Sequence, residues 1–195
     1  MPTLSEAILA HARELPEGQP LVARKLAGFG SAKRVGRVLS QLTARGRLVR
    51  AGRGTYVRTV EGRFGTRAPS AAKVAQAIAA SRGEIIASHG AMAANSLGLT
   101  TQVPVRNVFL TSGRSRTIEI GSQAVEMRHA PSWQLSQATS PAGQVVRALA
   151  WLGPEKAAEA VETLKRRIPT SDLVEVSTMA GRLPGWLAHQ VRAFA

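Results

Sequence analysis

The sequence predicts an α+β protein: a winged helix-turn-helix at the N-terminus, then a mixed α/β domain with a small antiparallel sheet and a helical C-terminus. Three observations carry the prediction. Apolar residues recur at helical spacing as far as Leu42. The period then becomes extended around the glycine-flanked turn Ala51-Gly52-Arg53-Gly54, and short alternating runs later in the chain give way to helices that begin at Pro or Ser. With 195 residues, 44% of them hydrophobic, the chain can build one generous domain or two small ones. The expected division is a first domain over 1–60, a linker over 61–70 and an α+β domain over 71–195.

Ser5 to Leu15 reads as the first helix, with Leu4, Ile8, Ala12 and Leu15 on one side and Pro16, Gly18 and Pro20 ending it. Leu21 to Phe29 reads as a second, short helix with Leu21, Val22, Leu26 and Phe29 as its apolar set. Ser31 is placed to cap a third, Ala32 to Arg45. In that helix Val35, Val38, Leu39 and Leu42 follow the i, i+3, i+4, i+7 spacing of a single buried stripe, and Gly46 is a natural stop. Leu48-Val49-Arg50 and Thr55-Tyr56-Val57-Arg58 then flank the glycine turn as a hairpin with Arg53 at its tip.

Val60 to Ser70 holds two glycines and a proline without periodicity, which reads as a loop between domains. Ala71 to Ser81 is the next helix, Ile85-Ile86 a short apolar run, and His89 to Leu97 a small-residue helix ended by Gly98. Strands are expected at Val105–Leu110, Thr117–Ile120 and Ala124–His129, where Ile118, Ile120, Val125 and Met127 alternate with charged residues. Helices over Pro141–Leu152, Pro154–Ile168, Ser171–Ala180 and Pro184–Phe194 complete the reading.

Charge narrows the partner. There are 26 Lys and Arg against 12 Asp and Glu, a net of +14, which attracts polyanions. The stretch from Gly18 to Val60 contains no acid yet holds Arg24, Lys25, Lys33, Arg34, Arg37, Arg45, Arg47, Arg50, Arg53 and Arg58. A merely solvated face mixes signs. At about 100° per residue, Lys33, Arg34, Arg37, Ser40 and Gln41 fall opposite the apolar stripe of the Ala32–Arg45 helix. Arg pairs bidentately with guanine and Gln with adenine in a major groove, and the positive helix N-terminus at Ser31 favours phosphate. Arg45, Arg47 and Arg50 are candidates for gripping the backbone. So are Arg53, Tyr56 and Arg58 of the hairpin, the wing in this arrangement. Double-stranded DNA is therefore the expected partner.

Other chemistries find little support. Cysteine is absent, which removes disulfides and thiolate sites; the four histidines show no metal-ligand spacing; and Asp172 is the single aspartate. No P-loop, carboxylate cluster or serine-nucleophile elbow occurs, so neither catalysis, a metal nor a cofactor is expected. Aromatic residues, 4% of the chain, are too few for an RNA-stacking platform. Neither a membrane span nor a signal peptide is legible, and a cytoplasmic location is the expectation.

Three phrases point further. Leu39-Ser40-Gln41-Leu42-Thr43-Ala44-Arg45-Gly46-Arg47-Leu48 with Val49-Arg50-Ala51-Gly52-Arg53-Gly54-Thr55-Tyr56-Val57 resembles the helix-wing segment of AbiEi-type antitoxins of type IV toxin-antitoxin systems. Ala94-Asn95-Ser96-Leu97-Gly98-Leu99-Thr100-Thr101-Gln102-Val103-Pro104 and Val108-Phe109-Leu110-Thr111-Ser112-Gly113 are similar to that family's second domain. The resemblance implies an antitoxin whose N-terminal domain represses its own operon and whose C-terminal domain is needed to counter a nucleotidyltransferase-like toxin; inverted repeats in the operator are the natural expectation for two winged-helix units on one duplex. The alternative is an antitoxin that acts mainly by binding its toxin directly, with DNA binding secondary. The small-residue helix from Ala91 to Leu97 and the exposed side of the 105–129 sheet are the candidate protein-contact surfaces.

Overall fold

The computed structural model describes residues 2–63 and 65–195; Met1, and Phe64 inside the expected linker, lie outside the described residues. The architecture is mixed α+β, with small antiparallel sheets and a helical C-terminal region. Two compact units are present: the described residues up to Glu84 together with Arg116–Glu126, and Ile85–Ser115 together with Met127–Ala195. These units do not follow the 61–70 boundary expected from sequence.

Helix α1 (Leu4–Glu14) starts at a capping box: the Thr3 amide donates to Glu6 Oε2 at 2.7 Å, and the Glu6 amide to Thr3 Oγ1 at 3.3 Å. Ile8 and Ala12 face the core. The helix expected over Leu21–Phe29 is instead a strand, β1 (Pro20–Val22), followed by a 3₁₀ turn over Ala23–Phe29. Leu21 and Leu26 are buried in either form, so periodicity does not separate the two. The backbone decides: β1 pairs antiparallel with residues 55–57, and the Ala23 amide donates to Gly54 O at 2.9 Å.

Helix α2 (Ala32–Ala44) buries Val35, Leu39 and Leu42 and half-buries Val38, the expected stripe. Gly46, at φ +67°, stops it in a Schellman arrangement: the Arg47 amide donates to Leu42 O at 2.9 Å and the Gly46 amide to Thr43 O at 3.0 Å. Ile8, Leu39 and Leu42 are essentially fully buried and together with Leu21, Leu26 and Leu48 make the N-terminal core. Each such side chain contributes about 1.5–3 kcal/mol.

Strands β2 (Leu48–Gly52) and β3 (Thr55–Arg58) form the expected hairpin, in a sheet of order β1-β3-β2. A bulge lies between Arg50 and Gly52, and Arg53-Gly54 is the two-residue turn. Buried Thr59 locks the base of the hairpin to the end of α2, its hydroxyl lying 3.0 Å from both Gly46 O and Arg47 O.

The expected loop at 60–70 is in part a second hairpin, β4 (Val60–Gly62) with β5 (Gly65–Arg67), in register Val60↔Arg67. Its strand residues are partly or fully exposed, so no apolar alternation marks it. Helix α3 (Ala71–Ala80) belongs with the N-terminal elements. Gly18, at φ +86°, lets the preceding loop approach it so closely that a Cβ there would lie 3.0 Å from the backbone of Lys73 and Val74.

The second unit takes up β6 (Ile86–Ser88), α4 (Gly90–Ser96) and β7 (Asn107–Thr111). Strand β8 (Arg116–Ile120) and the start of β9 (Gln123–His129) belong to the first, and the sheet order is β6-β7-β9-β8. Ile118, Ile120, Val125 and Met127 are buried, as their alternation predicts. A four-residue helix, α5 (Ser132–Leu135), precedes α6 (Pro141–Leu152), α7 (Pro154–Arg167), α8 (Thr170–Thr178), a 3₁₀ turn and α9 (Gly185–Arg192). Val145, Leu149, Leu164, Val176, Leu187 and Val191 are the fully buried centre of this helical core.

The small-residue helix α4 is not a free surface. Gly90, Ala93 and Ala94 are buried, and a Cβ on Gly90 would stand 2.5 Å from Arg147 O and from Trp151 Cβ of α6. Arg147 itself is buried: Nη1 donates to Gln134 O at 3.3 Å and Nη2 to Ala138 O at 3.0 Å, pinning the 136–140 loop. Burial pushes its guanidinium down to about 10, still protonated at neutral pH. Among the described residues, no helix is long and apolar enough to cross a membrane.

Candidate nucleic-acid interface

The cationic stretch lies in α2 and the β2–β3 hairpin. Ser31, Lys33, Arg34, Arg37, Ser40, Gln41 and Arg45 are all exposed; Lys33, Arg34, Arg37, Ser40 and Gln41 lie on the side of α2 opposite its buried stripe, and Ser31 and Arg45 stand at its two ends. Ser31 occupies the N-cap position, but its side chain makes no capping hydrogen bond, and no acid stands in the first turn. Lys33 and Arg34 therefore oppose the helix dipole, a placement that costs roughly 0.3–1 kcal/mol per charge and that an anion would reverse. The Ser40 hydroxyl donates to Gly36 O at 3.0 Å, leaving its oxygen free to accept.

The hairpin residues divide. Arg50 and Arg53 are exposed; Arg50 Nε donates to Gly52 O at 3.2 Å, and Arg53 sits in the turn. Arg58 is half-buried, opposite Leu48 in the ladder. Tyr56 is half-buried too, packed on the N-terminal core through contacts that anchor the strand. Arg47 forms an ion pair with Glu61 of β4, Nη1 to Oε1 at 3.4 Å. The end of α2 and the hairpin share one open groove of about 900 Å³, lined by Arg50, Arg53, Arg82 and Arg116 together with one acid, Glu119.

How the acids are distributed matters more than any single cation. In the first unit Glu6 serves the α1 cap, and Glu14 lies 3.9 Å from His11. Glu17 takes Lys73 at 2.6 Å and Arg67 at 3.5 Å and also accepts the Ser70 amide; the Lys73 hydrogen bond, then the Ser70 one, holds its carboxyl below the usual range. Glu84 holds Arg116 through two hydrogen bonds, 2.6 and 3.1 Å. Of the ten cations between Gly18 and Val60, Arg47 is the one with an ion-pair partner among the described residues. The other nine form no ion pair among the described residues. Sequence reasoning did not include Arg82, which lies beyond the basic stretch and reaches the groove through the placement of α3.

The histidines have local roles. His11 lies against Phe29 with ring centroids 5.5 Å apart, His89 Nδ1 caps α4 from the Ala91 amide at 3.2 Å, and His129 Nδ1 lies 2.9 Å from Gly113 O. Among the described residues, no group of three or more His, Asp or Glu side chains could hold a metal ion.

No curated protein and no solved structure matches the chain. The family model described as "Family of unknown function (DUF6088)" matches residues 7–171, and the chain belongs to that family.

Proposed function

We propose that this protein is a sequence-specific DNA-binding repressor whose first unit acts as a winged helix-turn-helix, with α2 as the recognition helix and β2–β3 as the wing. The observation that carries this reading is the set of exposed cations on α2 and the hairpin that have no ion-pair partner among the described residues, while Glu17, Glu61 and Glu84 of the same unit are each paired. Lys33, Arg34, Arg37, Ser40 and Gln41 read base edges, and Arg45, Arg50 and Arg53 grip phosphates. Two such units on one duplex fit an inverted repeat.

The likeness of the 39–57, 94–104 and 108–113 segments to AbiEi-type antitoxins extends the reading to a cytoplasmic antitoxin that represses its own operon beside a nucleotidyltransferase-like toxin. The test is binding to the operator and to random duplex. Arg37→Ala and Gln41→Ala should lose preference for the operator, by about 1–3 kcal/mol, while Arg53→Ala weakens both DNAs evenly. Equal losses on both DNAs from the helix variants would remove α2 as the reader. A nucleotidyltransferase-like reading frame next to the gene supports the antitoxin role, and its absence leaves a plain repressor.

A further inference from the structure

A second cleft of about 440 Å³ opens on the far side of the hairpin turn, wholly within the first unit. Arg24 and Lys25 of the 3₁₀ turn, Arg53 of the wing turn, and Arg82 just past the end of α3 line it, with no acid among its lining residues. We infer that this cleft is an anion site that holds phosphoryl oxygens, with Arg82 as its outermost clamp.

Four like charges that converge without a counter-ion repel one another, and an anion placed among them reverses that cost. None of the four has an ion-pair partner among the described residues. Glu84, two positions beyond Arg82, is committed to Arg116 through both its oxygens.

The backbones that carry the cations are tied together. The Ala23 amide donates to Gly54 O at 2.9 Å, fixing the root of Arg24 to the turn that holds Arg53, and Val22 pairs with Thr55 in the ladder. Buried Ile78 lies beneath, and the Ser81 hydroxyl is turned back onto Ile78 O at 2.8 Å, so the guanidinium and ammonium groups are the donors left to a ligand. The site is thus a hydrogen-bonded backbone frame carrying cationic side chains, suited to the several oxygens of a tetrahedral oxyanion.

Such oxygens come either from the DNA backbone beside the wing or from a free polyphosphate. The first source rests on the DNA-binding reading above, and the second does not. The protein is titrated with random-sequence duplex across a range of salt, and separately with inorganic triphosphate at constant ionic strength, as wild type, Arg82→Ala, Arg82→Lys, Arg37→Ala and the remote control Arg192→Ala; thermal melting confirms folding.

For the backbone source, Arg82→Ala weakens duplex binding about three- to tenfold and makes the slope of log K against log salt shallower by about one, while Arg82→Lys and Arg192→Ala stay near wild type. For the free source, duplex binding is indifferent to Arg82 but triphosphate binding is lost in Arg82→Ala. If neither ligand responds to Arg82 while Arg37→Ala still impairs DNA binding, the cleft proposal falls and the recognition-helix reading stands. If triphosphate binding responds and no variant affects duplex, the cleft stands and the DNA reading falls.

Discussion

Raising salt should weaken DNA binding by an amount that can be worked from the structure. Lys33, Arg34, Arg37, Arg45, Arg50 and Arg53 are exposed and without ion-pair partners among the described residues, whereas Arg47 is held by Glu61 and Arg58 is half-buried. On random duplex, which offers no preferred base edge, Lys33, Arg34 and Arg37 of the helix meet the backbone as the others do. If each of these six neutralises one phosphate, the slope of log K against log salt is about −0.9 per contact, or roughly −5 overall. A fourfold rise, from about 50 to about 200 mM, then lowers affinity by about three decades. Fluorescence anisotropy with a labelled random duplex reads this directly, because non-specific binding isolates the phosphate contribution. A slope shallower than about −2 would mean that most of these cations never meet the backbone, and the interface would have to be sought elsewhere.

Three further outcomes test the frame that holds the site. Gly90→Ala gains about 1 kcal/mol of helix propensity but forces a methyl group to 2.5 Å from the Arg147 carbonyl, a backbone atom with little room to yield; a net loss of about 1–3 kcal/mol in chemical denaturation is expected, and a stabilised variant would contradict the packing of α4 on α6. Arg147→Ala removes the donors to Gln134 O and Ala138 O and leaves a void, for an expected loss of about 2–4 kcal/mol by calorimetry; an unchanged melting temperature would refute its pinning role. The Glu17 carboxyl is held low by Lys73 and the Ser70 amide, so its stabilisation is complete above the ordinary glutamate value of about 4.3 and is lost as pH falls through the lower folded value. The stability gap between wild type and Glu17→Gln, measured in urea from neutral to acid pH, should therefore close on the acid side; a gap independent of pH would show that the ion pairs contribute nothing.

Those parts of the fold that rest on local pattern were legible in the sequence. Val35, Leu39 and Leu42 define the buried side of α2 within a few residues of chain, and Gly46 marks its end with a conformation that few other residues adopt readily. Pairing across long stretches was not. Leu21, Val22 and Leu26 fit a helical stripe as well as a strand, and what makes Pro20–Val22 a strand is residues 55–57, more than thirty positions away. The β4–β5 hairpin lacks the alternation that marks a strand because neither of its faces is buried. For the candidate interface, sequence showed where the acid-free charge lies but not which cations are neutralised. Glu61 lies just outside that stretch and engages Arg47, and the placement of α3 brings Arg82 to the β2–β3 hairpin.

The unpaired cations also affect the protein when nothing is bound. Crowded like charges strain the free first unit at low ionic strength, and dissolved salt relieves that strain by screening it. The same ions compete with any polyanion for the same side chains. Under the proposed DNA-binding role, salt therefore acts with opposite signs on two equilibria of this unit, firming the fold while loosening the complex, so that the solution in which the protein would keep best is the one in which it would hold DNA least.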